Sequence, residues 1–436
     1  MNTTPRTYLF TLVDGGGTVP PELGAVRRLV ERGHGVTVLA EDTMADEVRA
    51  TGATYRPWTA APNRPSRLPE DAPYRDWECS NPFQVFNCVL DEQFVGPAPD
   101  YSADVLAAVA DDRPDLVVSS FFAVGAMVGA EAAGLPFDVL FPNPYMLPAP
   151  GMPPFGMGLQ PASGLFGRLR DRIVSGLTGR LWAKGLPRLN DLRVAHGLAP
   201  LSSFFDQFLG ARRILVLTSA EFDFPAELPA NVRYVGPVLD DPAWAAIPWT
   251  APAGDDPLVL VALSSTFQDH ADCLQRIADA LGTLPARGLI TTGPAVDPSD
   301  VVAPANVTVV QAAPHSEVLR SAAAVVTHGG HGTVIRSLAA DVPLVVLHHG
   351  RDQADNAARV TARGAGLAVK KSASPAAIAT AVRRVLDDPS FRSGASRLGR
   401  SVRRDAASGA LTAELEDLPE AVGQPTLISP SSDQSS

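Results

Sequence analysis

The chain has 436 residues, of which 45% are hydrophobic and 19% charged, and its formal net charge is -11. This length and composition suit a globular protein of two domains. The negative charge and the lack of a basic cluster exclude nucleic acid or an anionic membrane surface as the main partner. Three scattered cysteines without CxxC spacing favour free thiols in a reducing environment over a disulfide framework or a zinc site.

The apolar runs of the chain are too short for export or membrane insertion. The N-terminal run ends at Asp14. The longest near-apolar stretch, residues 116–130, falls short of about 18 residues before Glu131 ends it. We therefore expect a cytoplasmic protein with no secretory signal and no stable membrane insertion.

The first predicted element is a strand over residues 8–13, followed by the loop DGGGTVPP at residues 14–21 and a helix. Glycines let the backbone approach a ligand closely, and the free N–H groups at a helix start attract negative charge. The loop therefore predicts a binding or reacting site. Pro20 stands where a dinucleotide fingerprint needs its third glycine, which argues against an NAD-dependent oxidoreductase.

Short apolar runs alternate with helical patterns along most of the chain, which is typical of βαβ units around parallel sheets. The predicted strands form two series, residues 8–13, 36–40, 116–119, 139–141 and 214–217, and then residues 258–263, 289–291, 307–310, 324–327 and 344–347. A proline-rich stretch, residues 240–257, separates the series and is predicted to be a linker. The pattern predicts an α/β protein with two similar domains, residues 1–239 and 258–422, and a disordered tail at residues 423–436.

The segment PNPYMLPAPGMPPFGMGLQP, residues 142–161, interrupts the alternation. It is too irregular for a helix or strand and too apolar for a solvated tether. A wall for an apolar ligand and a packed structural loop explain it equally well.

The stretch HGGHGT, residues 328–333, follows a predicted strand and opens a helix. The N–H groups at this helix start suit a phosphate, and His328 and Thr333 add side-chain donors. An isolated histidine more often bonds to backbone, but the glycines and the helix start favour an anion site here. Neither zinc-ligand spacing nor an Asp-x-Asp metal clamp is present, so no metal is expected.

Asp352 and Gln353 open a further helix after the next strand. They therefore lie at the same carboxyl edge of the sheet, where ligands collect in parallel α/β folds. Together with HGGHGT they could hold a diphosphate and a hydroxylated group beside it.

These motifs resemble the donor site of the inverting, sugar-nucleotide-dependent glycosyltransferases of family 1. The bacterial branch that acts on macrolides and other natural products is the most similar. The resemblance includes APHSEVL at residues 313–319 and DQADNAARVTARGAG at residues 352–366, and it covers nearly the whole chain. It implies a GT-B fold, in which two Rossmann-like domains face a cleft. The acceptor would bind to the first domain and the donor to the second, and the last helix could pack back on the first domain.

The resemblance carries ten donor-site positions over to this chain: Ser264, Ser265, Ala313, His315, His328, Gly330, Gly332, Thr333, Asp352 and Gln353. It implies that His328 contacts the diphosphate, that the serine pair closes over the phosphates, and that Asp352 and Gln353 hold the sugar hydroxyls. The Ala313 backbone would pair with the base edge. Ala312 stands where the family often has a tryptophan that stacks on the base, so the choice between a UDP-sugar and a TDP-sugar stays open.

In the family, the first loop carries a histidine that takes the proton of the acceptor, and an aspartate after a later strand supports it. Thr18 aligns with that histidine and Ser120 with that aspartate, so both members of the dyad are replaced here. His34 is no substitute, because it lies about 20 Å from the start of the first helix by the rise per residue, and it is predicted to be structural.

Asp14 and Thr18 are the catalytic candidates that remain. Asp14 could accept the proton if partial burial raised its pKa towards neutral, or it could only bond to the amides of its own loop, and the sequence favours neither. Thr18 has no useful pKa as a base. It could orient the acceptor or cap the helix, and Pro20 in the first turn favours capping.

The predicted acceptor site consists of Phe83, Phe86, Met146 and Phe155, although such residues more often belong to a core. The predicted reaction moves a hexose or deoxyhexose from a UDP- or TDP-sugar to a small apolar natural product, with inversion and with no cofactor. A non-catalytic homologue that binds a sugar nucleotide or assists an active transferase stays an alternative, as does an epimerase on the same scaffold. A homodimer also stays open.

Overall fold

The apolar runs of the sequence form two separate parallel sheets in the computed structural model. The structure describes residues 4–72, 75–79, 81–241, 245, 247–263, 270–293 and 296–418. Within these ranges no helix has both the length and the apolar character needed to cross a membrane. The tail predicted to be disordered, residues 423–436, lies outside the described residues, as do four residues of the predicted linker.

The first sheet consists of β1 (Thr7–Thr11), β2 (Gly35–Ala40), β3 (Thr54–Pro57), β4 (Leu116–Ser120), β5 (Phe137–Phe141), β6 (Arg213–Val216) and β7 (Val232–Tyr234). Their order across the sheet is β3-β2-β1-β4-β5-β6-β7. Adjacent strands run parallel, and Phe10 of β1 lies between Val38 of β2 and Val118 of β4.

The second sheet consists of β8 (Leu258–Ala262), β9 (Arg287–Thr291), β10 (Val307–Val310), β11 (Ala322–Thr327), β12 (Leu344–Val346) and β13 (Gly366–Ala368). Their order is β10-β9-β8-β11-β12-β13, again with parallel neighbours. Both sheets are covered on both faces, which explains why their central strands read as unbroken apolar runs.

The helices that cover the sheets are α1 (Val19–Glu31), α2 (Ala45–Arg49), α3 (Pro82–Cys88), α4 (Ala98–Asp111), α5 (Val124–Ala132), α6 (Gly164–Trp182), α7 (Leu186–Ala195), α8 (Asp206–Leu209), α9 (Ala271–Leu281), α10 (His315–Val318), α11 (His331–Ala339), α12 (Gln353–Ala362), α13 (Pro375–Asp387), α14 (Pro389–Ala406) and α15 (Ala410–Glu416). A π-helical segment, Val89–Val95, continues α3.

The predicted α/β fold with two parallel sheets is confirmed, and each of the ten predicted strands has a counterpart. The strands that the sequence analysis missed are β3, β7 and β13. All three are edge strands of three or four residues with partly exposed side chains. Their sequences, TYRP, VRY and GLA, are short and mixed with polar or small residues, so they lack the apolar run that revealed the other strands, including the edge strand β10 with VTVV.

The last helix of the described chain packs against the first sheet. Leu411 and Leu415 of α15 are buried among the residues of α1 and β1, and the Tyr8 hydroxyl donates to the Leu415 carbonyl at 3.2 Å. The two halves of the chain are therefore joined at a second place besides the linker.

A buried ion pair also joins the halves. Arg359 of α12 donates from Nε and Nη2 to Asp223 Oδ1 at 2.8 and 2.6 Å, and these two side chains are 3% and 0% exposed. Asp223 Oδ2 accepts from the Tyr145 backbone N–H and from the Tyr234 hydroxyl, both at 2.8 Å. The carboxylate is thus saturated with donors from both halves.

Replacement of Arg359 by Met is expected to destabilise the protein by about 3 to 5 kcal/mol, because it leaves a buried carboxylate without its counter-charge. The measurement is urea unfolding followed by circular dichroism. Arg404→Met is the matched control, since Arg404 pairs with Glu221 while both side chains are more than half exposed, and its effect should stay below about 1 kcal/mol. Equal effects of the two substitutions on the free energy of unfolding would show that the buried pair contributes no more to stability than the exposed pair.

Candidate active site

The carboxyl ends of both sheets border one cavity of about 1340 Å³. The glycine loop after β1 and the segment 142–161 form its wall on one side, and the loops after β11 and β12 form the other side. Gly17 and Gly332 face each other across it, because a Cβ atom on Gly332 would lie 3.9 Å from the Gly17 carbonyl oxygen. A ligand on the loop of one half would therefore lie next to the loop of the other.

Glycine is required in the loop between β11 and α11. Gly329 has a left-handed φ of +96°, and a Cβ atom there would lie 2.7 Å from Val346 Cγ1. A Cβ atom on Gly330 would lie 2.6 Å from His328 Nε2. Only residues without side chains let the loop turn this tightly while the imidazole lies over it.

The His328 imidazole lies in the cavity wall, and its Nδ1 has no hydrogen-bond partner within the described part of the chain. Burial, helped by the nearby His349 and His270, lowers the pKa of His328 to about 3, so the ring is neutral at pH 7. A neutral imidazole N–H and the first backbone N–H groups of α11 can both donate to a phosphate.

Most of the predicted donor residues line this same end of the cavity: Ala313, His315, His328, Gly330, Gly332, Thr333, Asp352 and Gln353. The half-buried His315 side chain places Nε2 3.1 Å from Thr291 Oγ1, and desolvation lowers its pKa to about 4. Ser264 and Ser265 lie outside the described residues.

Asp352 and Gln353 are placed differently from one another. The Gln353 side-chain oxygen accepts from the backbone N–H groups of His349 and Gly350 at 2.7 and 3.2 Å, so it shapes its own loop. Asp352 Oδ2 accepts from Asn356 Nδ2 at 2.8 Å, and burial raises the pKa of Asp352 to about 6. Its carboxyl group remains in the cavity wall, where it can meet hydroxyl groups of a sugar.

The other end of the cavity is aromatic. Phe83, Phe86, Met146 and Phe155 all line it, as predicted from the sequence, together with four residues that the sequence analysis did not single out: Phe94, Phe121, Phe122 and Trp182. The rings of Phe86 and Trp182 pack edge to face with centroids 5.1 Å apart. Such a surface suits a flat, apolar ligand.

Asp14 could act as the base only if its pKa were raised towards neutral, and the structure does not support a raised pKa. The side chain is fully buried, and Oδ2 accepts from Arg67 Nε at 2.6 Å and from Thr43 Oγ1 at 3.0 Å. Burial alone would raise the pKa of Asp14, but Arg67 and Arg64 outweigh it and lower that pKa below the usual value. Asp14 Oδ1 also accepts from the Gly16 backbone N–H at 2.9 Å, so the geometry favours the structural alternative.

Thr18 precedes α1, but its hydroxyl makes no capping bond, so the predicted capping role is wrong. Thr18 lines the cavity, but its hydroxyl oxygen is buried and would collide with any side chain at position 15. Ser120, at the carboxyl end of β4, is fully buried. His34 has the predicted structural role, because its Nδ1 accepts from the Arg6 backbone N–H and its Nε2 lies 2.8 Å from Glu416 Oε1.

Four further polar residues were missed from the sequence, of which Asn143 and Arg336 line the cavity and Asp355 and Glu22 lie outside its lining. Asn143, with its NH₂ oriented towards acceptors, donates to Asp352 Oδ2 at 3.2 Å. Asp355 accepts from the Gly156 and Gly158 backbone N–H groups at 2.5 and 2.8 Å. Arg336 lines the donor end, and its Nη1 donates to the Asp240 carbonyl at 3.1 Å. Glu22 is buried behind Thr18, and its position one helical turn later among apolar residues is the signal that could have found it.

Two parallel sheets that face one cleft, with a glycine-rich loop at one end and an apolar pocket at the other, form the architecture of the GT-B glycosyltransferases. Residues 275–418 match the family described as "Erythromycin biosynthesis protein CIII-like, C-terminal domain". The 4'-demethylrebeccamycin synthase of Lentzea aerocolonigenes is 30% identical over 402 residues, which cover 89% of this chain and 94% of that protein.

The oleandomycin glycosyltransferase of Streptomyces antibioticus is 28% identical over 431 residues, which cover 96% of this chain and 91% of that protein. The solved structure of the kitacinnamycin glycotransferase superposes with a TM-score of 0.74 at 25% identity and covers 96% of this chain and 100% of its own. The chain belongs to family 1 of the glycosyltransferases, in which its relatives serve natural-product biosynthesis. The resemblance inferred from HGGHGT is confirmed, and the oxidoreductase alternative is wrong.

Replacement of His328 by Ala is expected to weaken the binding of UDP or TDP about tenfold to a hundredfold, because a hydrogen bond to a charged group is lost. Isothermal titration calorimetry with each nucleoside diphosphate measures this directly. His196→Ala is the control, since His196 contacts Ser102 away from the cavity. An unchanged affinity of His328→Ala would place the diphosphate elsewhere.

Proposed function

We propose that this glycosyltransferase moves a hexose or deoxyhexose from a UDP- or TDP-sugar to a small apolar natural product, with inversion at the anomeric carbon. The observation that carries the proposal is the single cavity that joins the loop at residues 328–333 to an aromatic pocket. The names of the relatives, a rebeccamycin-type synthase and an oleandomycin glycosyltransferase, support an acceptor of this kind.

The donor end would stabilise the leaving diphosphate. The N–H groups at the start of α11 and the neutral His328 ring would donate to the phosphate oxygens as negative charge develops on them. Asp352 would accept hydrogen bonds from the sugar hydroxyls and so hold the anomeric carbon in place. In this arrangement the acceptor domain is the first half of the chain, residues 1–239, and the donor domain is residues 258–422.

The acceptor would attack from the aromatic end, opposite the diphosphate. One direct displacement from that side inverts the anomeric carbon. We assign Asp14 the task of fixing the glycine loop through Arg67, since its lowered pKa makes it a weak proton acceptor at neutral pH. Thr18 then contacts the reacting acceptor from the same loop.

The test is the release of nucleoside diphosphate from a panel of UDP- and TDP-sugars, with and without a set of apolar acceptors, followed by NMR of the product's anomeric configuration. Acceptor-dependent release with inverted product supports the proposal. Conversion of the sugar nucleotide without an acceptor would indicate an epimerase. Binding without turnover across the panel would indicate the non-catalytic homologue.

Replacement of Phe86 by Ala is expected to raise the KM for the acceptor about tenfold and to leave the KM for the donor unchanged, because the variant loses aromatic surface only at the acceptor end. Phe166→Ala is the matched control, since Phe166 is 90% exposed and does not line the cavity. Steady-state kinetics with each substrate varied in turn gives both constants. A change in the donor KM alone would reverse the assignment of the two ends.

A further inference from the structure

A cluster of three buried polar side chains lies where the glycine loop meets the cavity. The cluster consists of Thr18, Glu22 and Ser120, which are 7%, 0% and 0% exposed. The Thr18 and Ser120 hydroxyls and both carboxyl oxygens of Glu22 have no hydrogen-bond partner within the described residues. Because an unpartnered buried polar group costs about 1 to 3 kcal/mol, four such atoms in one place point to a functional constraint.

The members of the cluster come from two elements that the fold brings together. Thr18 directly precedes α1 and Glu22 lies one turn later, and the Glu22 backbone N–H donates to the Thr18 carbonyl at 3.3 Å. Ser120 ends β4, which pairs with β1 just before the glycine loop. Its hydroxyl lies close enough to the Glu22 carboxyl to favour the charged form, although the pair falls short of regular hydrogen-bond geometry.

We propose that Glu22 receives the proton of the acceptor through the Thr18 and Ser120 hydroxyls, and that this relay replaces the family's histidine and aspartate. The inference rests on the proposed transferase function and deepens it. Thr18 is the member that reaches the cavity, while Glu22 lies behind it and away from the lining. Because Glu22 acts through Thr18, it is a positioning residue.

The step balances as a single displacement. The acceptor oxygen forms a bond to the anomeric carbon while the bond from that carbon to the diphosphate oxygen breaks, and the diphosphate leaves with the electron pair. Because the three side chains form no regular hydrogen bond with one another in the described residues, they must first turn into contact when the acceptor binds. The acceptor proton then passes to Thr18 Oγ1, the Thr18 hydroxyl proton passes to Ser120 Oγ, and the Ser120 hydroxyl proton passes to the Glu22 carboxylate. Glu22 ends the turnover protonated and returns its proton to solvent before the next one.

The charges around Glu22 set the pH range of this relay. Burial raises the pKa of Glu22 to about 8, Ser120 lowers it somewhat, and the negative charge of Asp14 raises it further. Asp14 is the carboxylate that acts on Glu22 from the neighbouring loop, and it is itself paired with Arg64 and Arg67. On the other elements near α1, Asp240 of the linker pairs with Arg27 and Arg28, and Glu416 of α15 pairs with Arg32. Glu22 is therefore protonated at neutral pH and becomes an acceptor only as the pH rises towards 8.

The experiment compares Glu22→Gln and Glu22→Asp with the wild type by the pH profile of kcat. An aliphatic alcohol is the acceptor, because its hydroxyl does not titrate between pH 6 and 9. The wild-type kcat should rise about tenfold per pH unit and level off near pH 8. Glu22→Gln should lose this rise and fall about 10²-fold at pH 8.5, whereas Glu22→Asp should keep a rise. Thr18→Val should behave like Glu22→Gln, and Thr18→Ser should retain activity.

Asp14→Asn separates the relay from the earlier candidate. If Glu22 is the acceptor, loss of the Asp14 charge lowers the Glu22 pKa, and the rise in kcat moves to lower pH. If Asp14 itself takes the proton, Asp14→Asn loses activity over the whole range from pH 6 to 9 and Glu22→Gln keeps the wild-type profile, which would overturn the inference. A wild type that releases no nucleoside diphosphate at any pH would overturn the proposed function instead.

A stability measurement shows whether Glu22→Gln is folded and reports on the same carboxyl group without turnover. Because the folded pKa of about 8 lies above the ordinary 4.5, the wild type should lose stability relative to Glu22→Gln as pH rises between these values. Urea unfolding at pH 5, 6.5 and 8 gives the difference. A constant difference would show that Glu22 does not titrate in this range and would overturn the relay.

Discussion

The arrangement of the site depends on one face of α12, because that face holds the two halves of the chain against each other. Arg359 forms the buried pair with Asp223 from the first half, and Asp355, one turn earlier, accepts from two glycine amides of the segment 142–161. Asp352, at the start of the same helix, lies in the cavity wall. The spacing of three and four residues places all three side chains on one side of the helix.

Contacts from α12 to the segment 142–161 connect the two ends of the cavity. The segment 142–161 carries Met146 and Phe155 at the aromatic end, and its amides are held by a carboxylate of the donor half. Asn143 of the same segment donates to Asp352, the residue expected to hold the sugar. A sugar hydroxyl that donates to the Asp352 carboxylate must therefore compete with Asn143 for it. Donor binding and the position of the segment 142–161 in the aromatic end then depend on the same carboxyl group.

The fold, and the place of the HGGHGT loop in the cavity wall, could be predicted from the sequence because their signals are local. HGGHGT is a contiguous stretch in which glycine geometry and a helix start coincide, and the structure shows the steric reason for Gly329 and Gly330. Asp355 and Arg359 lack such a signal. Each reads as an ordinary charged helix residue, and only the packing of distant elements shows that it is buried. The same limit applies to Asp14, whose arginine partners lie about 50 residues further along the chain in a stretch without regular structure.

The charge arrangement behind the glycine loop explains why two neighbouring carboxyl groups behave in opposite ways. Asp14 and Glu22 are both buried, and two carboxylates cannot both ionise cheaply at short range in a medium of low polarity. Arg64 and Arg67 stabilise the charge on Asp14, whereas Glu22 has no arginine partner within the described residues, and burial raises its pKa to about 8. A pair of acids whose pKa values are driven apart in this way provides one fixed charge and one exchangeable proton. The fixed charge holds the loop to its arginines, and the exchangeable proton lies one side chain away from the cavity.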